Sequence, residues 1–132
     1  MNHPTAVAAE EEFYRAFAGR DAESMVALWD TRDDVVCVHP GGEAIAGHGP
    51  VAESWRAILG DDGYFDISHQ ALARHERDGL AVHTGFERIR ADERTALLTV
   101  TNAFRETPDG WKLVLHHAAP VHTVAAAEGA VH

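Results

Sequence analysis

Residues 34–59 read DVVCVHPGGEAIAGHGPVAESWRAIL, and their reading decides the fold. Val35, Val36, Cys37 and Val38 form a short apolar run, the length of a strand covered on both faces. His39-Pro40-Gly41-Gly42 stops it, because proline cannot donate to a ladder and paired glycines permit a tight reversal. Glu43 to Ala46 allows a short return strand. Gly49-Pro50 then opens a helix with proline at its first position. Val51, Trp55, Ile58 and Leu59 recur at i, i+4, i+7 and i+8, which is one apolar stripe at helical period. A histidine at a strand end and a tryptophan on the following helix therefore sit beside one sharp turn, as in the wall of a ligand cavity.

Outward toward the N-terminus, Thr5 to Ala18 reads as a helix capped by Thr5. Ala6, Ala9, Phe13, Ala16 and Phe17 make its inner face, and Glu10, Glu11 and Glu12 are expected on the outer one. Gly19 ends it. Asp21 caps a second helix whose buried stripe is Met25, Leu28 and Trp29. Toward the C-terminus, Asp78-Gly79 and Pro108-Asp109-Gly110 are hairpin signals, with a weaker turn at Ala91-Asp92-Glu93. They cut the chain into strands near Tyr64 to Arg77, Leu80 to Arg90, Arg94 to Thr107 and Trp111 to Val121, an antiparallel meander. Residues 1–121 read as one domain, and 122–132 as a patternless tail.

A strand from Arg94 to Thr107 would span about 45 Å at roughly 3.3 Å per residue. A folded chain of this length has a radius of gyration of roughly 14 Å. Strands that long must bend, through bulges and twist, and a bent sheet has a concave face. Three helices are available to close one end of it. The expectation is an α+β cone: three N-terminal helices packed on a strongly curved mixed or antiparallel sheet around an internal pocket.

Composition narrows the function. A chain of 132 residues with 45% apolar and 24% charged residues is an ordinary globular domain. Its formal charge of -10 disfavours nucleic acid and anionic membrane as partners, since both require a basic face. The single cysteine, Cys37, excludes an internal disulfide and reads as a small buried hydrophobe. The N-terminus shows no signal-peptide pattern and no window suits a membrane span, so a cytoplasmic protein is expected. HPGG and GHGP lack the spacings that cradle phosphates, so no cofactor is expected. Ten histidines raise the question of a metal. His39, His69, His83 and His117 are the candidates to converge, yet no HxH or HxxxH spacing joins any two of them, and no metal is expected.

Three stretches carry a family likeness: CVHPGG followed by SWRAI, then TNAF, then GWKLVLHHAAP. With the order of elements, they resemble the SnoaL-like branch of the nuclear transport factor 2-like superfamily, over about residues 5 to 121. That superfamily includes ketosteroid isomerases, polyketide cyclases, epoxide hydrolases, scytalone dehydratase, non-catalytic transport factors and kinase association domains. The resemblance implies a site inside the cone and pairing through the outer face of the sheet.

Within that frame, alternation on the last strand groups Trp111, Leu113, Leu115 and His117, the more apolar set, which is expected inside, with His116 outside. The preceding strand carries Asn102 inward with Leu98, Val100 and Phe104. His117 and His39 are then the candidate proton-transfer residues and Asn102 a polarising donor. Tyr14, Trp29, Trp55 and Ile58 are the candidate ligand-binding walls. Either histidine can instead be a structural group bonded to backbone or to Asn102. No acid matches the carboxylate base of the isomerases: Asp30 and Asp66 are nearest, and Glu87 and Glu106 are expected in solvent. Two readings follow: a cofactor-free acid/base enzyme acting on a small hydrophobic carbonyl compound, and a non-catalytic ligand-binding or oligomerisation module resembling the kinase association domain. A homodimer is expected through an outer face bearing Leu97, Thr99, Thr101, Val114 and His116.

Overall fold

The structure, a computed structural model, describes residues 2–61, 63 and 65–122. The expected strand start at Tyr64 and, apart from His122, the expected tail over 122–132 lie outside the described residues. Helix α1 spans Ala6–Ala18, α2 Ala22–Leu28 and α3 His48–Leu59; strands are β1 Val36–Val38, β2 Ala44–Ala46, β3 Asp66–Arg77, β4 Leu80–Ala91, β5 Arg94–Thr107 and β6 Gly110–Pro120. One six-stranded sheet runs β2-β1-β6-β5-β4-β3. It is mixed, because β1 pairs parallel with β6 while every other pair is antiparallel. Three helices on this curled sheet make the α+β cone expected from strand length.

Local chemistry explains the helix ends. The Thr5 side chain accepts from the Ala8 amide at 3.0 Å, and Asp21 accepts from the Ser24 amide at 3.1 Å, each satisfying a donor that helix geometry leaves free. α3 starts at His48, two residues before the first position expected at Pro50: Gly47 is its cap, at φ +94°, where a side chain would be strained. Pro50 still falls in the first turn, where a missing N–H costs no helical bond.

Two bulges bend the meander. On β3, Ala71 faces Gly85 and Ala73 faces Thr84, which leaves Leu72 as an extra residue. On β6, Leu113 faces Phe104 and Leu115 faces Ala103, which leaves Val114 as the extra one. The second bulge overturns the expected facing of the last strand. Before it Trp111 and Leu113 point inward; beyond it the parity reverses, so His116 and Ala118 are buried and His117 is exposed. The expected inward His117 and outward His116 are therefore exchanged. The outer face carries Leu115 and His117 where Val114 and His116 were expected.

The concave face and the helices share one aromatic core. Phe13 packs edge-on against Trp55 at 5.5 Å and Phe17 at 6.0 Å between ring centres. Phe17 in turn meets Trp55 at 5.2 Å and Phe65 at 5.5 Å. Such edge-to-face pairs add about 0.5–1.5 kcal/mol each beyond area burial. They fix α1 and α3 over the mouth of the curl. Among the described residues no helix is long and apolar enough to cross a membrane.

Candidate functional site

Between α1, α3 and the concave sheet lies a cavity of about 280 Å³, lined by Phe17, His39, Pro40, Trp55, Ile58, Phe65, Glu87, Ile89, Ala91 and His116. That is just below the roughly 300–1,000 Å³ usual for ligand sites. Its walls are aromatic and aliphatic, and three groups in it can handle a proton: Glu87, His116 and His39.

Glu87 is the group that sequence reasoning placed in solvent. It is only 1% exposed. β4 alternates Ala81, His83, Glu87 and Ile89 inward against Val82, Thr84, Phe86 and Arg88 outward, so each face carries two polar residues and the pattern does not mark Glu87 as buried. Burial pushes the Glu87 carboxyl up to about 7, although the Tyr14 hydroxyl, donating to its Oε2 at 2.6 Å, works in the other direction. Burial and the neighbouring Glu87 charge hold the Tyr14 phenol far above its ordinary value, so it remains a donor.

Asn102 is fully buried, as expected, behind the cavity wall. Its Nδ2 donates to Tyr14 Oη at 3.0 Å and to Glu10 Oε2 at 3.2 Å, and its Oδ1 lies 2.6 Å from His116 Nδ1. Burial, followed by the nearby His39 and His117, pushes His116 down to about 3, so its ring is neutral. His39 is also lowered by burial. Ser54 donates its one proton to the Val51 carbonyl at 2.7 Å, so at 3.0 Å His39 Nε2–H is the donor to Ser54 Oγ. Glu10, expected on the outer face of α1, is 2% exposed. The signal was present: Glu10 stands four residues after Ala6 and three before Phe13, inside the apolar stripe.

The other candidates separate. Trp55 and Ile58 line the cavity, while Tyr14 and Asn102 reach it only through Glu87 and His116. Trp29 does not join them: it lies on a different cleft of about 410 Å³, beside Asp30, Arg32 and Lys112. The reason is that Trp29 caps the end of α2, and its backbone bridges to Leu113, on the other side of the Val114 bulge from His116. Asp30 on that side is engaged by Arg105 at 2.6 and 2.9 Å. His117 stands on the outer face. His69 and His83 approach Glu10, at 4.0 and 3.1 Å, beside the Arg74 guanidinium, whose Nη2 lies 3.3 Å from Glu10 Oε1. The four histidines considered for a metal therefore divide among three places. Cys37 is fully buried, and burial pushes its thiol up to about 12.

Known proteins resemble this chain along most of its length. A model of the SnoaL-like domain matches residues 7–122. The F-box protein SKIP8 of Arabidopsis thaliana is 26% identical over 113 residues, covering 86% of this chain and 48% of that protein, so the chain spans about half its relative's length. A structure from Thiobacillus denitrificans, provisionally assigned as a calcium/calmodulin-dependent protein kinase type II association domain, is 33% identical. It covers 92% of this chain and 99% of that one, with a TM-score of 0.86. An NTF2-like family protein of Streptomyces avermitilis, provisionally assigned as a dehydratase, is 34% identical. That match covers 87% of this chain and 92% of the other, with a TM-score of 0.81. With its cone and this match along most of its length, the chain belongs to the SnoaL-like domain family of the NTF2-like superfamily.

Proposed function

We propose that this protein is a cofactor-free acid/base enzyme that moves a proton on a small hydrophobic carbonyl compound. One observation carries the reading: a carboxyl, Glu87, stands in the wall of an otherwise apolar cavity, held by Tyr14 and poised near neutral pH. A group with a pKa near the working pH balances the fraction in the right state against the drive to transfer. Glu87 would take a proton from the carbon beside the carbonyl and return it at another atom. Tyr14 steadies the Glu87 carboxylate before it takes the proton and after it returns it. Trp55, Phe17, Phe65 and Ile58 supply the apolar contacts, and neutral His116 and His39 offer polar contacts at the cavity wall. The dehydratase assignment of the Streptomyces relative is compatible with such chemistry, since elimination also begins with proton removal beside a carbonyl.

The test is exchange of carbon-bound hydrogen for deuterium in a panel of small cyclic ketones and enones, followed by NMR. The wild-type protein should accelerate exchange for at least one member, and Glu87→Gln should abolish it while the ligand still quenches tryptophan fluorescence. Exchange that survives Glu87→Gln removes this residue from the role.

The Thiobacillus relative favours a second reading, in which the domain binds or assembles without turnover. Quenching of tryptophan fluorescence without exchange in the wild-type protein would select it. In both readings the protein pairs as a homodimer through the outer sheet face, where Leu97, Thr99 and His117 are exposed.

A further inference from the structure

We infer that Glu10, which does not line the cavity, acts with Tyr14 to decide which nitrogen of His116 carries the proton. The influence passes through one carboxamide. Asn102 has two ends with opposite hydrogen-bonding character, and turning the group by half a revolution exchanges them. One end meets Tyr14 Oη and Glu10 Oε2; the other meets His116 Nδ1.

Glu10 and Tyr14 together break the symmetry, for Tyr14 gives its one proton to Glu87 at 2.6 Å and its oxygen then only accepts from Asn102 at 3.0 Å. Its Oε1 accepts from Arg74 Nη2 at 3.3 Å, and its Oε2 lies 3.2 Å from Asn102 Nδ2. A carboxylate paired with a guanidinium only accepts, so it holds the N–H₂ end of Asn102 toward itself. The reversed carboxamide would set oxygen against oxygen in a site closed to water. Asn102 Oδ1 is thereby left facing His116 Nδ1 at 2.6 Å, and an oxygen that only accepts requires the ring to carry its proton on Nδ1. In the neutral ring Nε2 then bears a lone pair. His116 lines the cavity, so a ligand meets an acceptor there and not a donor. Glu10 is a positioning residue, acting through Asn102.

The consequence for ligand choice rests on the proposed reading of the cavity: a substrate presenting a hydroxyl or enol O–H toward His116 is favoured over one presenting a bare carbonyl oxygen. The tautomer itself is measurable without substrate. In protein labelled with ¹⁵N-histidine, long-range ¹H–¹⁵N correlation at neutral pH distinguishes the two forms of His116. The expected wild-type result is the Nδ1–H form; the Nε2–H form overturns the inference outright.

Glu10→Gln sharpens the test. The carbonyl oxygen of the introduced side chain stays with Arg74, so its N–H₂ faces Asn102, which turns and presents N–H₂ to His116 while the Tyr14 hydroxyl rotates from Glu87 to donate to Asn102 Oδ1. The expected result is a switch to Nε2–H. Adding Asn102→Asp should restore Nδ1–H, because a carboxylate accepts from the introduced carboxamide and from His116 together. A folded Glu10→Gln protein with an unchanged tautomer overturns the inference, and so does failure of Asn102→Asp to restore it. Absence of deuterium exchange in the wild-type protein would remove the catalytic reading and leave these spectra unaffected.

Discussion

Tyr14 on α1 donates to Glu87 Oε2 on β4 at 2.6 Å, across 73 residues of sequence. The bond joins two demands on one carboxyl. Burial favours the neutral acid, the accepted proton favours the anion, and burial prevails, raising the group from 4.5 to about 7.

That shift has a sign in stability. Between about pH 4.5 and 7 the folded chain holds a proton at Glu87 that the unfolded chain has released. The contribution of Glu87 is therefore most favourable below pH 4.5 and is lost as pH rises through 7, by roughly 3 kcal/mol in all. His116 acts oppositely: its pKa falls from 6.5 to about 3, so its stability is present above 6.5 and lost as pH falls toward 3. Over the shared window the two slopes offset each other. Glu87→Gln removes one of them. Relative to wild type, its urea midpoint should rise steadily from about pH 4.5 to pH 8; a constant difference across that range contradicts a raised Glu87.

Tyr14→Phe deletes the donor that favours the Glu87 anion. The carboxyl should move above about 7, read by titrating its ¹³C resonance. The acid limb of any exchange activity should move upward with it. Asn102 Nδ2 also loses one of its two acceptors, so the variant should unfold about 1–2 kcal/mol more easily. An unmoved Glu87 titration means that the hydrogen bond contributes nothing to setting it.

How far the site was legible in the sequence depends on parity. Long strands announced the curl, and Trp55 with Ile58 announced a wall of the cavity, because each signal is local. His116 and His117 were exchanged because Val114 is a bulge, and a bulge leaves no mark in a run of apolar residues. Glu87 was hidden for a different reason. On β4 the sequence-level contrast favours Val82, Thr84 and Phe86 as the inner set, whereas Glu87 is held inside by Tyr14, a partner on another element. Buried polar groups satisfied over long range contradict the local pattern, and such groups make this site.

Gly85 supports the same strand. A methyl group there would overlap the Gln70 carbonyl oxygen and lie 3.3 Å from Ala71 Cα, where β3 bulges at Leu72. Only hydrogen fits, so β3 can close over β4 and bend. Gly85→Ala must push the strands apart. The expected loss is about 1–3 kcal/mol, the range for overpacking, with weaker tryptophan quenching by any cavity ligand, since Glu87 lies just beyond it on the same strand. Calorimetry showing an unchanged melting temperature would mean that β3 yields freely and that its bend does not depend on this contact.

The outer sheet face supplies the last prediction. Phe86, Thr99 and Ala119 are aligned in one row across β4, β5 and β6, and Thr84, Thr101 and His117 in the next. Leu97 and Thr99 are exposed on this face. Small and apolar side chains in register give a smooth surface, and two copies related by a twofold axis can stack on it with each residue meeting its symmetry partner's neighbourhood. Thr99 lies near the middle of the strand row, so Thr99→Arg would bring a pair of buried positive charges into such an interface. Light scattering should report a dimer for the wild-type protein and a monomer for the variant. The variant's ligand quenching should persist, because the cavity lies on the opposite side of the sheet. A wild-type monomer at high concentration would refute pairing through this face, and a dimer unaffected by Thr99→Arg would place the contact elsewhere on the molecule.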